Sequence, residues 1–193
     1  VLESLRQPIE NGSITVSRIR NNLTFPSRFT LVTAMNPCPC GYYGSLKHSC
    51  RDSFVQRQRY QSKISGPLLD RIDIQIAVAE LSEEELTSKK EGESSAKIRQ
   101  RVIKARKKQR ERFQSDKINA QMTVRDTQNY CQLDKESQQI LKHSINQLCL
   151  SARAYDRILK ISRTIADLEG SETILSHHLH EAIQYRKLDR ENN

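Results

Sequence analysis

Phe29-Thr30-Leu31-Val32-Thr33-Ala34-Met35-Asn36-Pro37 is a mostly apolar run that stops abruptly at a polar residue and a proline. Such a run fits a strand buried on both faces, as in a parallel sheet covered by helices. Polar residues just beyond the C-terminal end of a strand of this kind sit where α/β proteins bind ligands. The run therefore predicts an α/β core with Asn36 at its ligand-facing edge.

Working outward from this run, Leu2, Leu5 and Ile9 fit the end of an amphipathic helix, broken by Pro8 and Asn11-Gly12. Ile14-Thr15-Val16 and Leu23-Thr24-Phe25 read as two short strands with Asn21-Asn22 as the turn, because Asn tolerates positive φ. The result is a hairpin whose tip carries Arg18 and Arg20. On the C-terminal side, a Cys/Gly/Tyr loop spans Cys38 to Cys50, and Phe54 to Lys63 reads as a short basic helix. Ser65-Gly66-Pro67 is a break, and the alternation of Ile72 to Val78 predicts a strand with one apolar face.

From Leu81 to Ser95 the composition turns to Glu, Ser and Lys, which reads as a linker. Beyond it the pattern is helical. Ile98, Val102, Ala105 and Phe113 form a narrow apolar stripe; Ile140, Leu141, Ile145 and Leu148 mark a second helix with Asp134 as its N-cap. Ser151 caps a third whose inner face holds Tyr155, Ile158, Leu159, Ile165 and Ala166, and Gly170 ends it. Leu179, Ala182 and Ile183 mark a fourth. The expected organisation is a partial α/β core over residues 1–80 with a cysteine-rich loop at 36–52, a linker at 81–95, and an all-α lid bundle over 96–193.

The 193 residues carry a net charge of +9, with 36% hydrophobic and 28% charged residues, which is polar but globular. No apolar run approaches the ~18 residues of a membrane span, so no membrane partner is expected. Residues 97–117 hold ten Lys/Arg against two acids, about 30 Å of strongly basic helix. That stretch is either a solvated face or a stripe facing a polyanion, nucleic acid above all. Five cysteines, three of them clustered, point to reduced thiols or a metal site rather than a disulfide framework, and to a cytoplasmic setting. The opening residues Val1 to Leu5 read as a helix interior with no Met in front, which suggests a piece of a longer protein.

The hairpin, the strand ending at Asn36, the string Gly66-Pro67-Leu68-Leu69-Asp70-Arg71-Ile72-Asp73, and Ser151-Ala152-Arg153 stand in one order. This order resembles the magnesium-chelatase-like AAA+ ATPases, the ComM/YifB-like group in particular. Met35 to Gly44, Ile64 to Asp73 and Ser151 to Leu168 carry the likeness. The resemblance implies a C-terminal portion of an ATP-driven ring of identical subunits, hexameric in the family, using ATP and Mg and acting on DNA as a helicase in branch migration. No Gly-Lys dipeptide occurs, so the stretch holds no phosphate-binding loop of the G-x-x-x-x-G-K-[ST] type. A piece without that loop is expected to be inactive alone.

By resemblance, Asn36 matches the sensor-1 position, Arg71 the arginine finger that acts on a neighbouring subunit's nucleotide, and Arg153 sensor 2, with Arg157 one turn along. Arg18, with Arg20, matches the basic tip of a pore hairpin that grips DNA. Without the resemblance, Asn36 is a turn former before proline, Arg71 a partner for Asp70 or Asp73, Arg153 and Arg157 exposed helix arginines, Arg163 structural, and the hairpin a soluble turn. By resemblance, the family pattern is Cys-Pro-Cys-Gly followed about ten residues later by Cys-x-Cys. Here Cys38, Cys40 and Cys50 match it, but the fourth position is Asp52, and His48 offers a replacement. Three thiolates and an imidazole would suit a closed tetrahedral Zn site, with Asp52 as the alternative ligand; reduced thiols in a loop remain the plain reading. His177, His178 and His180 do not look like a metal site, since consecutive helical residues point about 100° apart. Two rivals to the DNA motor stand: a chelatase-type motor that remodels a protein, and a non-enzymatic Zn-containing DNA-binding module.

Overall fold

The computed structural model describes residues 2–18, 21–88, 92–148 and 150–186, apart from the side chains of Glu85 and Leu86. It divides into two compact units, the first ending at Ile72 and the second beginning at Asp73.

The first unit opens with a 3-10 turn, Leu2–Leu5, that leads into helix α1, Arg6–Asn11. Gly12 ends α1 at φ +61°, donating its N–H to the Pro8 carbonyl at 2.9 Å. That left-handed geometry is open to glycine without steric penalty. Strands β1, Ser13–Arg18, and β2, Asn21–Pro26, then pair antiparallel. Their register sets Ile14 opposite Phe25 and Val16 opposite Leu23, so the apolar side chains share one face. This corrects the expected turn: Asn21 and Asn22 lie in β2, opposite Arg18 and Ser17. A turn at Asn21-Asn22 would set Val16 opposite Ser27 and forfeit the apolar cross-strand pairs, so side-chain pairing overrides the local turn preference. Arg20 lies outside the described residues.

The run Phe29 to Asn36 is not a strand in this chain. It is extended and exposed, with Phe29 48% and Val32 87% accessible. Residues 72–78 also form no strand, and Ile76 and Val78 lie open to solvent. A buried strand needs neighbours on both edges and layers on both faces, and β1–β2 is the only sheet among the described residues. Residue preference favours strands, but strand pairing is non-local, and the described residues offer these two runs no partner strand. Helix α2, Phe54–Gln61, starts at a reciprocal capping box: Ser53 Oγ accepts from the Gln56 N–H at 3.3 Å, and Gln56 Oε1 accepts from the Ser53 N–H at 2.8 Å. The one-turn α3, Gly66–Leu69, is capped by Ser65 and has Pro67 in its first turn.

The second unit begins with a one-turn helix α4, Glu83–Thr87. Helix α5 follows over Ser95–Phe113, then a 3-10 turn Asn119–Gln121, α6 over Val124–Tyr130, α7 over Lys135–Leu148, α8 over Ala152–Glu169 and α9 over Ser176–Gln184. Met122, Cys131, Leu141, Ile158, Leu159, Ile174, Leu179 and Ala182 form its core. Helix α8 is the centre because its apolar stripe is the widest and its two ends are fixed. Ser151 Oγ accepts from the Ala154 N–H at 3.1 Å, and Gly170, at φ +92°, closes the C-terminus with its N–H on the Ala166 carbonyl at 3.0 Å. Asp134 accepts from the Ser137 N–H at 2.7 Å and caps α7. The expected caps and the expected end of α8 are therefore present. No described helix is long and apolar enough to cross a membrane.

A buried ionic network ties α5 to α8. Asp167, fully enclosed, accepts from Arg112 (Nη1 at 2.8 Å, and also Nη2), from Asn119 Nδ2 at 2.8 Å and from Arg163 Nε at 3.1 Å. Arg163, 2% exposed, donates its remaining N–H groups to the carbonyls of Glu172 and Ser171, both at 2.7 Å. Burial works to raise the Asp167 carboxyl. The hydrogen bonds from Arg112 and Asn119, with the two guanidinium charges, outweigh it and hold the group below the usual carboxylate range. Arg163 is thus structural.

Candidate functional site

The cysteine loop is the most organised polar cluster of the first unit. Gly41, at φ +83°, closes a turn in which its N–H meets the Cys38 carbonyl at 3.1 Å. The chain then returns through a second glycine turn at Gly44 (φ +85°) to bring Cys50 against Cys38 and Cys40. The three sulfurs form a triangle with edges of 3.4, 3.7 and 3.6 Å. A tetrahedral ion with bonds of about 2.3 Å to each sulfur requires edges of about 3.8 Å. The triangle is therefore almost the right size for a single ion. The thiolates of a [4Fe–4S] cluster each bind a different iron and stand further apart.

Asp52, not His48, is the fourth group. Its Oδ2 lies 3.9 Å from the Cys50 sulfur, and the ligand atoms of Cys38, Cys40, Cys50 and Asp52 all fall within 4.8 Å of one another. The Cys40 N–H fixes this oxygen at 2.9 Å. His48 is exposed; its ring lies against Tyr42 with centroids 4.9 Å apart, and its backbone N–H is held by Ser45 Oγ at 3.1 Å. The spacing Cys-x-Cys-x7-His-x-Cys suggested an imidazole ligand, but the loop turn at Tyr42–Ser45 directs that ring elsewhere. The Tyr43 N–H points at the Cys38 sulfur at 3.4 Å. Arg57 of α2 lies over the Tyr43 ring at 4.6 Å and holds the Asp52 carbonyl at 2.8 Å. Sequence reading did not identify Arg57, since a lone arginine of a basic helix gives no signal of what it will face.

Burial and then the Asp52 carboxylate push the Cys38 thiol up to about 11. Hydrogen bonds from the Cys40 thiol and backbone N–H hold the Asp52 carboxyl below its ordinary value. Cys38 is thus protonated at neutral pH, and a cation entering the cluster must displace that proton.

The residues aligned with nucleotide chemistry fall in different places. Asn36 is exposed at the mouth of the cysteine loop, its Nδ2 lying 3.9 Å from where a β-carbon on Gly41 would stand. Arg71, just past α3, is clamped within its own unit. Its Nε donates to Glu10 Oε2 at 2.9 Å, its Nη2 to the same oxygen, and its Nη1 to the Pro67 carbonyl at 2.7 Å. An acid partner is Glu10 of α1, a contact 61 residues away in sequence that local spacing does not signal. In the second unit Arg153 and Arg157 lie one turn apart on α8, both half-buried, and Arg157 pairs with Asp73. Arg18 stands exposed at the end of β1.

The three histidines of α9 divide. His177 and His178 do converge, both on Glu169 Oε2, the former at 2.8 Å, because the chain reverses between α8 and α9 and sets that carboxylate over the first turn. His180 turns away to the Ser176 carbonyl. The group is nonetheless ill-suited to a metal. His178 Nδ1 accepts the Leu175 N–H at 2.9 Å, so in the neutral ring Nε2 carries the proton and donates it to Glu169.

Comparison with known proteins agrees along the whole chain. The family model for magnesium chelatase, subunit ChlI, matches residues 1–86, and that for the ChlI C-terminal part matches residues 92–186. The Competence protein ComM of Haemophilus influenzae is 44% identical over 98% of this chain and 37% of its own length. The Uncharacterized protein YifB of Escherichia coli is 42% identical over the same shares, and that of Salmonella typhimurium 41%. The chain thus spans 37% of the length of these curated relatives. The chain therefore belongs to the magnesium chelatase family and is of the ComM and YifB type.

Proposed function

We propose that this chain is the sensing and lid portion of an ATP-driven AAA+ ring motor that works on DNA, and that it is inactive without a phosphate-binding portion. The observation that carries this reading is the 44% identity, over 98% of the chain, to a protein named for competence. Asn36 would orient the attacking water, Arg71 would reach the nucleotide of the next identical subunit, and Arg153 with Arg157 would close on phosphates as the lid moves. Arg18 and Arg20 would contact DNA phosphates at the hairpin. The exposed apolar runs at Phe29 to Met35 and Ile74 to Val78 fit this reading, since both would gain neighbours in a completed sheet. ATP and Mg would bind outside this stretch, and the cysteines would stay reduced in the cytoplasm.

The cluster of Cys38, Cys40, Cys50 and Asp52 would hold Zn. Thiolate-rich tetrahedral donors favour that ion, and four protein ligands close the site, which makes it structural. Bound there, the ion would pin the loop that carries Asn36.

The test is a chimera in which this chain replaces the matching segment of the Haemophilus influenzae protein. ATP turnover should appear in the chimera, be absent from the 193-residue chain alone, and fall about 10³-fold or more with Arg71→Ala. Turnover by the chain alone that Arg71→Ala abolishes would overturn the incomplete-site reading. ATPase that responds to no DNA would favour a motor that remodels a protein.

A further inference from the structure

One face of α5 is a row of cations without a use in the chemistry above. Lys97, Arg101, Lys104 and Lys108 follow at spacings of four, three and four residues, so they share a helix face. They extend over about 16 Å. Lys107 flanks the row with its side chain 78% exposed. The face that packs, through Ala105 and Gln109, adjoins the row about a quarter turn around the helix. The row borders a groove of about 570 Å³ whose other wall is the end of α8, at Leu168 and Gly170.

The carboxylates along this groove are already engaged. Asp167 is buried between Arg112 and Arg163, Glu169 holds His177 and His178, and Glu111 stands 3.9 Å from Lys107. Arg101 forms a solvent-exposed pair with Glu93, and Lys108 donates to the Gly170 carbonyl. Lys97 and Lys104 have no carboxylate partner among the described residues. Lys97 and Lys104 on the row are exposed, and Lys107 beside it is only loosely paired with Glu111, at 3.9 Å on the open surface.

We propose that this face of α5 is a second nucleic-acid surface, binding the phosphodiester backbone without reading sequence. Charge complementarity names the occupant: duplex DNA carries about one negative charge per 1.7 Å, on the order of ten across the 16 Å row. No aromatic side chain lies on the row to stack a base, and lysines act as point charges on phosphate rather than as forks on base edges. The inference rests on DNA as the partner of the proposed motor but not on its ATP chemistry.

The test uses the full 193-residue chain and labelled DNA of mixed sequence, single-stranded and duplex, in fluorescence anisotropy across a salt titration. The variant K97Q/K104Q/K107Q should reduce the slope of log K against log salt by about 2.7 on duplex and about 2 on single strands. Affinity near 0.1 M salt should drop on the order of 100-fold. Glutamine keeps helix propensity, and an unchanged circular dichroism spectrum checks the fold. K63Q/K135Q/K142Q removes the same charge elsewhere and should change the slope by less than half as much. Equal effects of the two triple variants, or no change in the first while R18Q abolishes binding, would overturn the surface. Capture by phosphatidylserine vesicles with no binding to DNA would overturn it as well. Loss of ATP turnover in the chimera with the slope change intact refutes the motor alone; the reverse outcome removes only the α5 surface.

Discussion

Removing Asp167 with Asp167→Ala takes away the acceptor of four hydrogen bonds, two from Arg112 and one each from Asn119 and Arg163. It leaves two guanidinium groups facing each other where one is 2% and the other 14% exposed. Breaking a buried ion pair by deleting one partner costs roughly 3–5 kcal/mol. The lower end applies, because Arg163 keeps two carbonyl acceptors and Arg112 keeps Asn119 Oδ1 at 2.9 Å. Deleting the acid of the exposed pair Arg110–Asp116, with side chains 63% and 87% accessible, should cost no more than about 1 kcal/mol. Urea unfolding followed by circular dichroism measures both: with m near 2 kcal/mol/M, Asp167→Ala should lower the midpoint by about 1.5 M and Asp116→Ala by no more than ~0.5 M. The pH dependence supplies a second readout. The folded-state pKa of Asp167 is depressed, so its stabilisation is fully present above the unfolded value near 4 and is lost as pH falls through the lower folded value. Asp167→Asn should remove that acid-side decline. Equal midpoint shifts for the two alanine variants, or an unchanged acid profile in Asp167→Asn, would refute the claim that this network holds α5 to α8.

Two further outcomes follow from the same geometry. The purified chain should bind one Zn per molecule by metal analysis, and Co substitution should give the absorption of a tetrahedral thiolate site; Cys50→Ser and Asp52→Ala should weaken binding strongly, whereas His48→Ala should leave it unchanged. Loss of metal in His48→Ala alone would return the fourth ligand to the imidazole. Ser151→Ala should cost about 1 kcal/mol in urea unfolding, because the Ser151 hydroxyl is the side-chain acceptor for the Ala154 N–H at the start of α8; a loss under ~0.3 kcal/mol would mean that the end of α8 is fixed by packing alone.

The helical half of the chain was legible because its signals are local. Ser151, Asp134 and Gly170 announce the ends of helices within one turn, and the apolar stripe of α8 is visible at its own period. What escaped the sequence depends on partners distant along the chain. Phe29 to Met35 has the composition of a buried strand, yet composition cannot supply the strands that would flank it. The hairpin was legible, but Asn21 and Asn22 belong to β2 rather than to a turn, since only the opposition of Val16 to Leu23 decides against their turn preference. The convergence of Cys38, Cys40 and Cys50 was readable from number and spacing. The choice of Asp52 over His48 was not, because it depends on which way a glycine-rich turn points one ring. Asp167 and Arg112 gave no warning at all: 55 residues apart, they look like ordinary surface charges until α5 and α8 pack.

The arginines themselves sort by what holds them. Arg163 and Arg112 share a carboxylate with no exposure, so neither can leave it without stranding a buried charge, a penalty of several kcal/mol. Neither is therefore free to follow a nucleotide. Arg71 and Arg157 are also paired, but their acids, Glu10 and Asp73, are 36% and 59% exposed. Water can take over such a carboxylate when its guanidinium departs, whereas the Asp167 carboxylate, with no exposure, has no such replacement. A phosphate would offer a charge-assisted, two-pronged replacement. In the nucleotide roles proposed for Arg71 and Arg157, exchange from Glu10 or Asp73 to phosphate would strand no buried carboxylate, whereas exchange from Asp167 would. The same ordering that places Arg163 in the core sets Arg71 and Arg157 on half-solvated acids, which is compatible with the nucleotide roles proposed for them.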